Sequence, residues 1–495
     1  MRQTGWDIAR SALVRLLVAG SFLFVLVYLF IAIARVNYPF ELEWIEGCMS
    51  EHVRRILAGQ PIYARPSLEF TSLLYPPLYY EAAAAMAKIL GPGFLPLRLL
   101  SLLSSVGVFA LIYQIVRRES GAAFPGMLAM GLYAATYDRV GGWFDLARLD
   151  SFYLLVLLAS VNAQRFSTSR AGAIVAGLFM GAACLTKQSA IVVAIPLAVY
   201  CILADSKRAP FLIGGAAGVV LGGALFLDRS SGGWFHYYCF YLPMRHPRTG
   251  EGILAFWKKD LVPVLPIAAL AASVHVARRF RPGQGRKALF FPLLAGGMIS
   301  SSWAVRTMVG AEVNDLMPAY AAVSMLAPMT LHEILRRAAD ARPGRWAPAA
   351  VLTLGLFAAQ FVMLGYNPTK YLPTAADREA GTKLVARIAR IPGDVFVPHH
   401  GYLATLAGKK SFAHAIAIDN LRVEDDGPVR RDLEREIVDA LEHKRFAAVL
   451  IESDRWHADD ILRNYRAEGF LFDNPDVFWP VTGARLRPEI LCVRR

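Results

Sequence analysis

Long apolar runs separated by short polar loops occupy the chain as far as residue 364. They centre on residues 12–34, 97–116, 122–137, 151–164, 171–185, 190–204 and 211–227, then on 261–277, 288–304, 316–335 and 347–364. A bilayer-crossing helix needs about 20 predominantly apolar residues, so the pattern predicts about eleven spans, several of them short. The run 12–34 follows Arg2 and Arg10 and reads as an anchor; its Ala32-Ile33-Ala34 end also fits a signal-peptide cleavage site. Residues 77–90 are apolar too, but they are few and include Glu81 and Lys88, which predicts a helix lying in the interface.

With 77–90 kept on the outer surface, alternate loops carry Arg117-Arg118, Arg165 and Arg170, Lys207-Arg208, the basic cluster at 278–287, and Arg336 to the end of the cluster at 345. Short loops rich in Lys and Arg stay cytoplasmic, so the N-terminus is predicted inside and the C-terminus outside. Counting 77–90 as a crossing would move every one of these clusters outward. From residue 375 the pattern changes to an amphipathic helix at 429–443 and short β-like runs at 394–398 and 447–451. The predicted fold is therefore mainly α: a polytopic helical membrane domain over 1–370, followed by a soluble α/β domain over 375–495.

Composition agrees with a lipid solvent. Of 495 residues, 55% are hydrophobic and 19% charged, more apolar surface than one soluble core hides. The net charge of +14 does not indicate nucleic acid, because the basic residues are spread over loops and not gathered on one face. Five cysteines without a CxxC pair argue against a metal ribbon, and Cys48 with Cys239 is a candidate bridge. No GxGxxG loop is present, and no internal repeat supports an inverted-repeat transporter.

Carboxylates beside apolar spans need a reason. Glu41, Glu43 and Glu46 lie in one predicted outer loop, where two of them share a face in either an extended or a helical stretch. Such a pair can take a proton or hold a divalent cation, although a plain solvated loop has the same spacing. The loop 138–150 adds Asp145, Arg148 and Asp150, and Lys187 sits between two apolar runs at the same predicted level. A salt bridge or a snorkelling anchor accounts for these equally well from spacing alone. The long segment 228–260 carries Arg245 and His246 among aromatic residues and suits a mobile cover. Arg306, Glu312, Asn314 and Asp315 form a further polar group. His399-His400 has no ligand-like partner nearby in sequence and reads as a surface or packing pair.

Three stretches in order resemble the GT-C glycosyltransferases, particularly the bacterial relatives of protein O-mannosyltransferases and the lipid A aminoarabinose transferase. The first comprises Glu43-Trp44-Ile45-Glu46-Gly47, Leu57-Ala58-Gly59-Gln60-Pro61-Ile62-Tyr63 and Tyr75-Pro76-Pro77-Leu78-Tyr79-Tyr80. The second is Ala147-Arg148-Leu149-Asp150-Ser151, and the third Cys184-Leu185-Thr186-Lys187-Gln188. Gly310-Ala311-Glu312-Val313-Asn314 is a weaker fourth. Order and spacing carry the resemblance, since no single motif is specific. Many relatives have Asp-Glu where this chain has Glu41-Leu42-Glu43, so the resemblance does not decide which glutamate is the base.

The resemblance implies a sugar on a polyprenyl phosphate as donor and a lipid, glycan or protein acceptor, joined at the periplasmic face of a bacterial inner membrane. It implies Glu43 as base with Asp150 assisting, Glu41 and Glu46 as alternatives, and Lys187 on the leaving phosphate. Arg148, Asp145, Tyr75, Arg245, His246, Arg306 and Asn314 are the implied substrate contacts. Glu43 and Asp150 are the residues that could share a divalent metal ion. A transporter or flippase for a lipid-linked or anionic substrate, and a noncatalytic assembly protein, are the competing readings.

Overall fold

The computed structural model describes residues 5–340, 347–424 and 427–495. Each of the eleven apolar runs coincides with a helix, to within a few residues at the ends. Lipid leaves a backbone no partner but itself, which is why apolar runs of this kind become helices. In chain order the first nine α-helices, seven of them from those runs, are α1 (Gly5–Arg35), α2 (Glu46–Leu57), α3 (Leu78–Leu90), α4 (Phe94–Ser120), α5 (Ala123–Ala135), α6 (Asp150–Phe166), α7 (Arg170–Cys184), α8 (Ala190–Ala204) and α9 (Ala209–Ser230). The later apolar helices are Pro266–Arg279, Phe290–Arg306, Met317–Asp340 and Ala347–Met363.

Among the described residues, four helices are long and apolar enough to cross a membrane: α1, α4, α9 and Arg286–Arg306. Two bent pairs, Gly250–Leu261 with Pro266–Arg279 and Ala347–Met363 with Pro368–Arg390, bring that number up to 6. Their outer faces are apolar: Leu23, Leu26, Phe30 and Ile33 of α1 and Leu221, Leu225 and Phe226 of α9 are all exposed. A belt of this kind is stable only against lipid or another apolar surface. Inside, α1 packs on α5 and Ala347–Met363, α4 lies between α5 and α6, and α7 meets α9. At that last crossing a Cβ on Gly177 would stand 2.2 Å from Leu212 O, so small residues let the two backbones touch.

The two ends of the helical body differ in charge. At one end Arg165 reaches Glu119 (2.7 Å), Arg278 and Arg279 share Glu333 (3.1 and 3.0 Å), and Arg286 donates to Leu203 O (3.1 Å). The loops that precede α2, α6 and α8 gather at the other end, together with a C-terminal unit.

That unit holds the helices Ala375–Arg390 and Pro428–Glu442 around a four-stranded sheet of order β1-β2-β4-β3, with β1 Val395–Phe396, β2 Ala448–Glu452, β3 Tyr465–Phe470 and β4 Pro488–Arg494. β1 runs parallel to β2, and β4 is antiparallel to both β2 and β3. The unit is docked, not tethered. Phe478 packs on Phe40, Ala413 N donates to Leu68 O (2.9 Å), and Glu51 accepts from Thr405 (2.9 Å) and Ser411 (2.6 Å). All five cysteines are free, so the Cys48–Cys239 bridge is not formed.

Candidate functional site

Two buried arginines frame the site before any reactive group is placed. Arg35, the last residue of α1, holds Asp145 through both oxygens (2.7 and 2.8 Å) and donates to Gly142 O (2.7 Å). Arg98, the fifth residue of α4, holds Glu46 through both oxygens (3.0 and 2.6 Å) and ties down Tyr38 O and Phe40 O (2.6 and 2.7 Å). Glu46 also accepts from Ala147 N (2.6 Å) and Leu42 N (2.7 Å). Burial would raise its pKa, but Arg98 outweighs that and holds it below the ordinary range. These charge-assisted bonds lock the two acidic loops against each other. Glu46 and Asp145 are thereby committed to the scaffold.

Glu43 projects from the first loop with no solvent exposure. Its Oε2 accepts from Arg148 (2.8 Å) and Ile45 N (3.2 Å), while its Oε1 is buried without a partner. Burial, helped by Glu46 and opposed by Arg148, pushes its pKa up to about 7. A carboxyl that titrates there can accept a proton at neutral pH. Arg148 also donates to the Tyr75 hydroxyl (3.3 Å) and lies over the Trp143 ring.

Two residues beyond Arg148, Asp150 accepts from Lys187 Nζ (2.7 Å), and Lys187 donates equally to Asp315 (2.7 Å). Burial works against the lysine's charge, but the two aspartates outweigh it and hold its pKa above the ordinary range. Asp150 Oδ2 has no partner, and Asn314 lies beside it. Gln188 secures the lysine's loop by donating to Leu74 O and Cys239 O (2.5 and 3.1 Å). Glu43, Arg148 and Tyr75 form one bonded group and Asp150, Lys187 and Asp315 another; the two adjoin along the chain from Arg148 to Asp150, and the Arg148 charge acts on Asp150, making one cluster at the loop end of the helices.

Other expected residues lie apart from it. Glu41 turns toward the C-terminal unit: Oε1 accepts from Gly47 N (2.6 Å) and Oε2 faces His400 Nε2 (3.4 Å). Arg306 holds Asp260 (3.1 Å) and Ala311 O (2.6 Å), which ties down the end of the long segment. Arg245 is exposed and stacks on Tyr241, and His246 keeps a buried Nδ1 without a partner. Among the described residues neither makes a hydrogen bond or ion pair to the cluster.

His399 and His400 are not a surface pair. Both are buried, with His399 against Asp454 (2.7 Å) and His400 against Glu452 (2.5 Å). Partners some fifty positions away are invisible until the sheet brings β2 beside the histidines. Atoms of His399, Glu452 and Asp454 lie within 4.8 Å of one another, close enough to hold a metal ion, although each already has a hydrogen-bond partner. At the main cluster, Glu43 Oε1 and Asp150 Oδ2 are the oxygens left for a divalent ion, the other two being taken by Arg148 and Lys187. Arg98 and Asp315 were the partners hardest to assign from sequence. A charge just inside an apolar run was the available signal for Arg98.

Comparison with known proteins bears on this geometry. Residues 75–226 match the family described as dolichyl-phosphate-mannose-protein mannosyltransferase. No curated protein matches the chain by sequence. Among solved structures, ArnT from Cupriavidus metallidurans bound to undecaprenyl phosphate superposes with a TM-score of 0.61 at 12% identity, over 95% of this chain and 97% of that one. The fold is that of the GT-C glycosyltransferases. The apo form of the same ArnT gives a TM-score of 0.62 at 13% identity, again over 95% and 97% of the two chains. A second GT-C structure, the oligosaccharyltransferase AglB from Archaeoglobus fulgidus with an inhibitory peptide and a dolichol-phosphate, gives 0.52 at 11% identity over 87% of this chain and 69% of that one. The family match spans Tyr75, Arg148, Asp150 and Lys187. Glu43 and Asp315 fall outside it.

Proposed function

We propose that this chain is a membrane glycosyltransferase that moves a sugar from a polyprenyl-phosphate donor to an acceptor at the periplasmic face of a bacterial inner membrane. One observation carries the reading: a buried glutamate with a free oxygen stands beside an arginine, two residues from an aspartate that shares a buried lysine. Support for the donor class comes from the lipid phosphates named in the ArnT and AglB structures. On this reading the helical body makes eleven spans with the N-terminus inside. The basic end then faces the cytoplasm and the site the periplasm, as the positive-inside rule requires.

In the transfer, the acceptor O–H gives its proton to Glu43 Oε1 while its oxygen bonds to the sugar's anomeric carbon. The bond from that carbon to the phosphate oxygen breaks, and polyprenyl phosphate leaves with the electron pair. Phosphate departs as a stable anion, so no second carboxyl is needed as general acid, in contrast to a glycosidase. Lys187 and Arg148 meet the charge that develops on the phosphate, and in a partly dry site each such contact contributes a few kcal/mol, on the order of 3. Asp150 and Asp315 keep Lys187 charged and aimed. Glu43 and Asp150 are the residues that would hold a divalent ion, which would supply a Lewis acid there.

The transporter alternative predicts ionisable groups along the middle of the spans. Buried Arg35, Arg98, Asp150 and His275 instead all lie within five residues of an end of their helices. Purified protein offered a panel of labelled polyprenyl-phosphate sugars should release lipid phosphate from at least one of them. Movement of the intact lipid-linked sugar across a vesicle without release would instead favour transport.

A further inference from the structure

Glu43 is held from outside the membrane body. Val481 N and Thr482 N both donate to Leu42 O (3.0 and 3.3 Å), and Thr482 pairs with Glu43 as an isolated bridge. The Thr482 hydroxyl then donates to Gly141 O (2.5 Å), in the loop that carries Arg148. One turn of the C-terminal unit therefore staples both acidic loops. Its next residue, Gly483, has φ +75°, and a Cβ there would lie 3.0 Å from Glu43 Cγ, 3.0 Å from Trp44 Cδ1 and 3.2 Å from Glu43 Oε1. The backbone forms a wall against the free oxygen, and only a glycine leaves it in place.

The opposite flank is held the same way. Glu41 N donates to the Tyr402 hydroxyl (3.3 Å), and His400 stands between Glu41 Oε2 (3.4 Å) and Glu452 Oε1 (2.5 Å). We propose that the C-terminal unit is a working part of the transfer site, with Gly483 as a positioning residue that sets where Glu43 presents its oxygen to the acceptor. This rests on the reading of Glu43 as base. It makes the unit a determinant of rate and of the acceptor shapes admitted, and not an appendage.

The test compares Gly483→Ala with Gly408→Ala in the full-length protein. Gly408 has a matching φ of +73° but nothing within 4 Å of its added Cβ, so both variants carry the same left-handed strain. A misplaced reacting group costs up to about a hundredfold, so kcat of Gly483→Ala should fall about ten- to hundredfold with donor KM changed by less than about twofold. Gly408→Ala should keep its kcat while losing similar thermal stability. Equal kcat losses in the two variants, or an unchanged kcat in Gly483→Ala, would overturn the proposal. Should Gly483→Ala not fold, Thr482→Val removes the bond to Gly141 without crowding the base; a lowered kcat at constant KM supports the staple, and an unchanged one sinks it. Glu43→Gln separates the two levels. Full activity there defeats the base assignment itself, whereas loss there with normal Gly483→Ala and Thr482→Val defeats only the positioning role.

Discussion

Glu41, Glu43 and Glu46 share one short loop and meet three different environments. Glu46 is neutralised by Arg98 on both oxygens, Glu41 has its unbonded Oε2 facing a histidine of the C-terminal unit, and Glu43 keeps an unbonded oxygen beside Arg148. The sequence placed all three as candidates, and it could not rank them, because rank depends on Arg98 of α4, Arg148 of the loop before α6 and His400 beyond β1. A base must be unprotonated to work, so with the Glu43 pKa pushed up to about 7, kcat should rise with pH below that value and level off above it. A pH–rate profile flat down to pH 5 would contradict this. Glu46→Gln should act on stability instead: it strands Arg98 without its partner charge, which costs about 3–5 kcal/mol for a buried pair. Thermal unfolding in detergent measures that loss.

Helices were the most legible elements, since apolar runs of spanning length have few alternatives, and β1 and β2 were legible as short apolar strands. β3 and β4 escaped. β3 is exposed beyond Tyr465 and lacks alternation, and β4 opens on a proline and ends on arginine. The connection between α7 and α8 was legible as a motif, but the second aspartate holding Lys187 was not, because Asp315 lies 128 residues further along the chain. Lys187→Met therefore removes the charge that two buried aspartates share. Polyprenyl phosphate should bind this variant at least about tenfold more weakly, since the lost contact is charge-assisted. Titration of purified variant and parent with polyprenyl phosphate alone measures it, and equal affinity would remove Lys187 from the phosphate site.

Across the whole molecule, one end is basic and the other carries the cluster and the C-terminal unit. The division proposed near residues 370–375 carried no hint of how closely the parts on either side of it interlock. That contact depends on Tyr402, Thr482 and Gly483, none of which stands out by composition. The proposed topology is testable on intact cells. A cysteine at Asn474 should react with an impermeant reagent added outside, and one at Gln284 only after permeabilisation; the reverse pattern would put the site in the cytoplasm.

The central claim is that Glu43 accepts the acceptor's proton during sugar transfer. Its most direct measurement is the single-turnover rate of lipid-phosphate release by Glu43→Gln, with enzyme in excess over a donor that the parent protein consumes. General-base removal predicts a fall of about 10²–10⁴-fold with donor affinity kept within about threefold. A rate equal to the parent's in a folded variant would contradict the account.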